Sequence, residues 1–379
     1  MRMQYKTIGE INHYASENVN PARFPEQYFE LYSVPHFSEG HPEIIKGKDV
    51  GATKQVVQEG DVLICKINPR INRVWKVTRH TDYPLIASSE WVIVRNADLN
   101  ADYLTYYFSS PKFRVLINSE LTGMGGSLIR AQPKQIRRYS VPVPDKEEQH
   151  FVVRNLALLD HLISLRQQQA EKLDELVKAR FVDMFWGAYS EVIAEDVCEK
   201  IVDCPHSTPK YNESELKYPA IRTSEIQDGQ IEWSSMKYVG INEYQRRVKR
   251  LIPEAGDIVY AREGTYGDCV ILPEGYQFCL GQRTMLFRPN YKLCNSEYLH
   301  AVLRSAAVKY QADMSNAGST VPHVNVSDAK RFHFPLPPLP LQNAFATFVH
   351  EVDCEKERIQ RSAALLKTLK RSLMQQYFG

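Results

Sequence analysis

Two long amphipathic segments place the strongest constraint on what this chain can fold into. In each, apolar residues recur at alternating spacings of four and three, which keeps one stripe along a slightly underwound helix, as a coiled-coil seam requires. The first stripe comprises Val152, Leu156, Leu159, Ile163, Arg166, Ala170, Leu173, Val177, Arg180 and Met184, and the second comprises Phe345, Val349, Val352, Lys356, Ile359, Ala363, Leu366, Lys370 and Leu373. Each stripe needs a partner surface.

The length of these segments favours pairing with each other. About 40 residues at about 1.5 Å each give a helix of about 60 Å, longer than a small domain is wide. We therefore predict an antiparallel pair, because a whole domain connects the two helices. The alternative is that each helix packs on its own globular domain.

The two helices follow similar proline runs. VPVPDKEEQHFV occupies residues 141–152 and FPLPPLPLQNAF occupies 334–345. A shift of 193 residues superposes Pro142 on Pro335, Pro144 on Pro337 and Gln149 on Gln342, and a shift of 196 superposes GDVLICK on GDIVYAR. Small offsets in a common order predict a duplication. Because proline cannot continue a strand or lie inside a helix, we expect both runs to separate domain from helix. A less favoured interpretation of PLPPLPLQ is an SH3-type ligand.

The segments outside the helices are rich in short strand signals. DVLICKI, WVIVR, DIVYAR and TMLFRP are short, rich in β-branched and aromatic residues, and separated by turn residues. Short helices are predicted at LTYYFSSPKFRVLI and YLHAVLRSAAVKYQ. The predicted class is α+β, with β-rich domains at 1–144 and 188–338 separated by helices at 145–187 and 339–379 that form an antiparallel coiled coil.

Composition excludes several classes. No stretch approaches the roughly twenty apolar residues of a membrane span, and MRMQYKTIGE lacks a signal peptide's apolar core. We expect a cytoplasmic protein. The seven cysteines are scattered, without a Cys-x-x-Cys pair, which favours reduced and mostly buried thiols and disfavours a zinc site.

Net charge is only +2, with +4 over residues 1–140, −2 over 141–187, −2 over 188–335 and +2 over 336–379. A protein that coats DNA indiscriminately is usually far more basic. A nucleic-acid-binding role would therefore require locally clustered charge or a more basic partner.

Catalytic signals are poor. KINPRIN lacks the second proline and the stacking aromatic of the Asn-Pro-Pro-aromatic loop of amino-methyltransferases, and no Gly-x-Gly cofactor loop follows a strand nearby. TGMGGSLIR lacks the Gly-Lys-Ser/Thr ending of a phosphate loop. We expect neither a catalytic residue nor a bound metal.

Candidate binding residues cluster in two pairs of segments. Their side chains suit base edges and phosphates: Arg or Lys for guanine, Asn or Gln for adenine, Glu for the cytosine amino group. In the first half the candidates are Lys66, Asn68, Arg70, Asn72, Arg73, Lys76, Ser127 and Arg130. In the second half they are His206, Thr208, Lys210, Arg222, Arg262, Glu263, Tyr266, Gln282, Arg283, Ser319, Thr320 and His323. The competing interpretation is solvated charged hairpins and ordinary turns.

Together these segments resemble the specificity subunit of type I restriction-modification systems over essentially the whole chain. The resemblance rests on CEKIVDCPHSTPKY, GDIVYAREGTYG, FPLPPLPLQ with its helix, KINPRINRVW and LRQQQAEKLDELVKARFVDMFWG. The chain departs from the family at VPVPDKEEQ, which replaces the usual proline-rich run, and at PLPPLPLQN, which has leucine where a glutamate normally stands.

The resemblance implies a non-catalytic DNA reader. Its two target-recognition domains would each recognise one half of an asymmetric, interrupted site in double-stranded DNA. The helices would set the spacing and dock two methyltransferase subunits. The residues assigned to these spacer and partner helices are Leu156, Leu159, Ile163, Leu173, Val177, Val349, Val352, Ile359, Leu366 and Leu373. S-adenosylmethionine would bind the methyltransferase partner, and ATP and Mg the restriction and motor subunits.

Two other functions compete with this one. The first is a coiled-coil scaffold or adaptor whose β-rich domains bind proteins, and the second, a stand-alone DNA-modifying enzyme, is disfavoured by the missing motifs. A methyltransferase gene beside this one would favour the DNA reader.

Overall fold

The chain divides into two units, and each contains part of both long helices. A computed structural model describes residues 4–119, 129–212, 217–264, 266–315 and 323–379. Unit 1 comprises residues 1–167 and 361–379, and unit 2 comprises 168–360. The long helices are Lys146–Phe185 and Leu339–Phe378. We refer to them as the central and the C-terminal helix.

The described residues of unit 1 form three sheets. The five-stranded sheet has the order Asn18–Val19, Lys54–Val56, Leu85–Ala87, Tyr28–Tyr32 and Glu43–Lys46, and the three-stranded sheet has the order Val74–Lys76, Val62–Cys65 and Trp91–Val94. A two-stranded sheet pairs Gln4–Thr7 with Ser140–Val143. The short helices are Ile8–Ile11, Ala101–Phe108, Pro111–Ser119 and Pro133–Ile136.

Unit 2 contains a four-stranded antiparallel sheet in the order Cys198–Asp203, Thr284–Pro289, Ile258–Ala261 and Cys269–Ile271. A second sheet has the order Lys237–Val239, Tyr218–Ile221 and Cys279–Leu280. Two-stranded pairs join Glu191–Ile193 with His333–Pro335, and Ile226–Gln227 with Gln230–Ile231. Its short helices are Ala194–Val197, Ile241–Arg247, Ser296–Leu303, Ala306–Ser315 and Val326–Ala329. The α+β class is confirmed, as are the strands predicted at DVLICKI, WVIVR, DIVYAR and TMLFRP.

The long helices pair antiparallel inside each unit. In unit 1, Asp160 forms an ion pair with Lys370, while the earlier Asn155 bonds the later Tyr377 at 3.1 Å. In unit 2, Asp174 forms an ion pair with Lys356. Lys356 and Lys370 are the two polar residues of the second stripe, and charged pairs at seam positions help to fix the register of a coiled coil.

The stripe residues are buried to different extents. Val152, Leu156, Leu159, Ile163, Val352 and Ile359 are buried, and Leu173, Val177, Val349, Leu366 and Leu373 are half-buried. The predicted stripe therefore faces a partner surface in both units.

The helix-leading segment is built the same way twice. Gln149 and Gln342 are both buried. The amide of Gln149 donates to the Pro144 carbonyl at 2.9 Å and accepts from the Asn100 backbone at 2.8 Å. Gln342 repeats both contacts in unit 2, with Pro337 at 2.8 Å and Asn295 at 2.9 Å.

Both proline runs lie between a strand and a long helix, as expected, but the premise that proline cannot continue the preceding strand is wrong. Pro142 lies inside the strand Ser140–Val143, opposite Tyr5, and Pro335 lies inside His333–Pro335, opposite Glu191. A two-stranded sheet consists only of edge strands, which tolerate a residue without an N–H. Pro340 lies at the start of the C-terminal helix, where the missing N–H has no helical acceptor in any case.

Candidate nucleic-acid interface

In each unit, an arginine forms an ion pair with a buried aspartate at the start of one inner strand of a sheet. The Arg95 guanidinium donates two hydrogen bonds, of 2.8 and 2.7 Å, to the buried carboxylate of Asp61. The Arg288 guanidinium donates two hydrogen bonds of the same lengths to the Asp257 carboxylate. Bidentate pairs of this kind fix orientation. The strands Val62–Cys65 and Ile258–Ala261 therefore begin from matching anchors.

The other end of each central strand leads into a matching junction. In unit 1, the Lys66 backbone donates to the Glu90 carbonyl at 3.0 Å and accepts from Ala131 at 2.8 Å. In unit 2, the Arg262 backbone donates to the Arg283 carbonyl at 2.8 Å and accepts from Val324 at 3.0 Å. We call these two places junction 1 and junction 2.

Junction 1 carries an exposed ion pair. Ile67 and Arg130 lie opposite each other in an isolated antiparallel bridge. The guanidinium of Arg130 contacts the Glu90 carboxylate at 3.0 Å. The bridge thus brings the predicted residue Arg130 beside the strand end that carries Lys66.

Junction 2 carries an ion pair built from different positions. Glu263 and His323 lie opposite each other in the corresponding bridge. The guanidinium of Arg283 contacts the Glu263 carboxylate at 3.0 Å. Three predicted residues, Glu263, Arg283 and His323, are therefore brought together.

The loop that follows junction 1 has an unusual backbone. Asn68 and Asn72 both adopt left-handed conformations, with φ of 47° and 50°, which asparagine tolerates better than most residues. They flank a short 3-10 turn that exposes Arg70. The Asn72 amide donates to the Phe108 carbonyl at 3.1 Å. This hydrogen bond ties the loop to the end of the helix Ala101–Phe108, and Arg70 faces solvent.

Several polar atoms around this loop lack a hydrogen-bond partner among the described residues. They are Asn72 Oδ1, Arg73 Nη1, Glu90 Oε2 and Asn118 Oδ1, all buried. An unpaired buried polar atom in a native protein calls for an explanation, and a site that completes its bonding on ligand binding is one. Lys76, by contrast, is committed to an ion pair with Asp102 on the helix Ala101–Phe108.

Other predicted residues of unit 2 are tied to neighbouring side chains. Arg262 donates to the Val324 carbonyl at 2.8 Å and pairs with Asp203, and its side chain is only 14% exposed. Arg222 binds the buried Glu225 carboxylate, and this hydrogen bonding raises the pKa of the guanidinium.

The tyrosine and the polar segment of unit 2 have separate contacts. Tyr266 donates to Asp313, and that hydrogen bond raises the pKa of its phenol. Thr208 accepts from the Gln282 amide at 2.9 Å. His206 and Lys210 are exposed, and His206 lies 3.5 Å from Asp203.

Three predicted contacts, Ser127, Ser319 and Thr320, lie outside the described residues. Glu90 and Ile67 belong to junction 1 and were not predicted from the sequence. The repeat shift of 193 aligns Glu90 with Arg283, so the repeat contained the signal that would have identified Glu90. In the part of the chain that the structure describes, no group of three or more His, Cys, Asp or Glu side chains is placed to hold a metal ion. No helix in that same part is long and apolar enough to cross a membrane.

Comparisons with known proteins agree on one family. Residues 190–367 match the family model for the type I restriction modification DNA specificity domain. The type I restriction enzyme MjaVIII specificity subunit of Methanocaldococcus jannaschii is 22% identical, over 91% of this chain and 85% of its own length. The HindI specificity subunit of Haemophilus influenzae is 27% identical, over 38% of this chain and 32% of its own.

Solved structures share the fold. A chain from a structure of complex assembly and conformational transition in a type I R-M system has a TM-score of 0.65 and 18% identity, covering 99% of this chain and 97% of its own. The type I restriction-modification S subunit from M. genitalium has a TM-score of 0.51 and 13% identity, covering 100% and 96%.

The paired long helices and the duplicated junctions thus define a two-unit α+β fold in which one backbone frame occurs in both units. Residues 190–367 match the type I restriction modification DNA specificity domain, and the resemblance predicted from the sequence is confirmed.

Proposed function

We propose that this chain is the non-catalytic DNA sequence-specificity subunit of a type I restriction-modification complex. Each β-rich domain, 1–144 and 188–338, reads one half of an asymmetric bipartite site in double-stranded DNA. The helices at 145–187 and 339–379 set the spacing. As part of the same proposal, the chain acts in the cytoplasm, where it meets its DNA target and its partners.

The observation that carries this proposal is the repeated junction with different side chains. A common backbone places Glu90 and Arg130 in one unit, and Arg283 and Glu263 in the other. The same frame carrying different hydrogen-bonding groups is what two readers of unlike half-sites require, because base identity is read by donor and acceptor patterns. The family match of residues 190–367 supports this interpretation, and the matches do not favour the adaptor alternative.

The partners follow from the same proposal. Two methyltransferase subunits dock on the paired helices, and restriction and motor subunits join for cleavage. S-adenosylmethionine belongs to the methyltransferase, and ATP and Mg to the restriction partner. The small net charge of +2 fits a reader that shares the duplex with other subunits.

Exposed leucines on the helices of unit 1 support the docking role. Five leucines that do not belong to the seam stripes remain exposed there: Leu158, Leu162, Leu165, Leu365 and Leu369. Clustered exposed apolar side chains on a helix surface mark interaction sites. We assign this leucine surface to a methyltransferase subunit.

Co-purification followed by DNA selection tests the proposal. The chain is co-expressed with the methyltransferase encoded beside it, purified by a tag on this chain, and used to select from random double-stranded DNA. We expect a stable complex that enriches one interrupted, asymmetric sequence. Failure to retain the methyltransferase, or the same enrichment by the methyltransferase without this chain, would contradict the proposal.

A further inference from the structure

Junction 2 combines an exposed ion pair with a strained backbone. Arg283 adopts a φ of 65°, although its side chain is neither glycine nor asparagine. Such a conformation is strained and persists only where the surrounding structure determines it. Here the Arg283 carbonyl is held by the Arg262 backbone at 2.8 Å. The backbone therefore aims this arginine at a fixed place.

Stability does not explain the pair. The side chain of Arg283 is 64% exposed and that of Glu263 is 31% exposed. An ion pair this open to water contributes little to stability, and that contribution does not offset the strain of the Arg283 backbone. A role in folding alone would leave no net gain.

The corresponding position in junction 1 carries the opposite charge. Glu90 occupies the place of Arg283, and its partner Arg130 occupies the place of His323. Three positions are equivalent in the two junctions: Ile67 and Glu263, Glu90 and Arg283, and Arg130 and His323. Junction 1 forms its ion pair from the second and third positions, and junction 2 from the first and second. Because the backbone is the same in both junctions and the side chains differ, these positions are where the two domains can differ in the bases that they prefer.

Resting on the proposed function, we propose that Glu263 and Arg283 are specificity-determining residues of the second half-site and together read one G·C base pair. The pair opens on DNA, the Arg283 guanidinium donates to guanine O6 and N7, and the Glu263 carboxylate accepts from the cytosine amino group. These are the pairings that the two side chains favour in the major groove. The mutual ion pair keeps both groups oriented before DNA arrives.

Selection with the assembled complex tests this inference. Glu263→Gln removes the carboxylate charge at the same side-chain length, Arg283→Gln removes the guanidinium, and the matched control Arg250→Gln changes an exposed arginine elsewhere in unit 2. We expect each junction variant to lose preference for one G·C pair in the second half-site by about 10- to 100-fold. Preference in the first half-site and the melting temperature stay as in the wild type, and Arg250→Gln selects the wild-type sequence.

The outcomes separate this inference from the proposed function. If the wild-type complex selects no sequence, the proposed function itself fails. If the wild type selects a bipartite site and both junction variants select the same site with the same preference, only the inference is overturned. A uniform loss of affinity across all sequences would also overturn it, because that result identifies phosphate contacts.

Discussion

Removing the buried glutamine at the start of each long helix should destabilise the two units by related amounts. Gln149→Leu deprives the Asn100 N–H and the Pro144 carbonyl of their partners. A buried group left without a hydrogen bond costs about 1–3 kcal/mol, so two such groups cost about 2–6 kcal/mol. The partial burial of Asn100 puts the expected value near the lower half, at about 2–4 kcal/mol.

The equivalent change in unit 2 should cost more. Gln342 makes the same two contacts and also donates to the Leu293 carbonyl at 2.9 Å. Gln342→Leu therefore leaves three groups unpaired, and we expect roughly 1 kcal/mol beyond the cost of Gln149→Leu.

Native-state hydrogen exchange, followed by mass spectrometry, measures the two effects separately. We expect faster exchange in the peptide covering Ala101–Phe108 for Gln149→Leu, and in the peptide covering Ser296–Leu303 for Gln342→Leu. The matched controls Gln167→Leu and Gln360→Leu change exposed glutamines and should stay within about 0.5 kcal/mol of the wild type. If Gln149→Leu and Gln342→Leu exchange no faster than these two controls, the reasoning is refuted.

Three further predictions concern spacing, docking and pH. Deleting residues 167–173 together with 357–363 retains both interhelical ion pairs and the five exposed leucines, and shortens each helix by about 10 Å. The gap in the recognised site should therefore shrink by about 3 base pairs at about 3.4 Å each; an unchanged gap in the methylome would contradict this. Replacing Leu158 and Leu162 with serine should reduce methyltransferase co-purification without changing the circular dichroism spectrum; full retention of the partner would count against the docking surface. Burial lowers the pKa of His300 to about 4 from 6.5. The unfolded chain therefore binds this proton more readily than the folded chain does. The folded state should lose stability as the pH falls from 6.5 through 4, by at most about 3 kcal/mol. Urea unfolding of His300→Gln should lose this part of the pH dependence, and an unchanged profile would exclude His300 as its source.

The long helices and their pairing could be predicted because periodicity is local. The four-three stripe predicted helices close to Lys146–Phe185 and Leu339–Phe378. The repeat shift predicted that Gln149 and Gln342 are equivalent, and their matching hydrogen bonds agree. The division into four segments stays a prediction.

The fate of the prolines could not be predicted because it depends on pairing. Pro142 and Pro335 lie in strands because only two strands meet there, which leaves a free edge for a residue without an N–H. Sequence alone does not tell an edge strand from a central one.

The candidate site was predicted by residue type but not by residue contact. Arg262 carries the side chain suited to guanine, yet it pairs with Asp203, 59 residues away. Likewise Lys76 pairs with Asp102, and Glu90 joins Arg130. Such long-range pairs decide which charged groups are oriented by their neighbours and which face solvent, and no local pattern encodes them.

Methylome sequencing tests the central claim most directly. Cells carrying this chain and its neighbouring methyltransferase are compared with cells carrying the methyltransferase alone. We predict one asymmetric, interrupted methylated motif that disappears when this chain is removed. A motif that persists without the chain, or methylation that never depends on it, would contradict the claim that these two units read DNA.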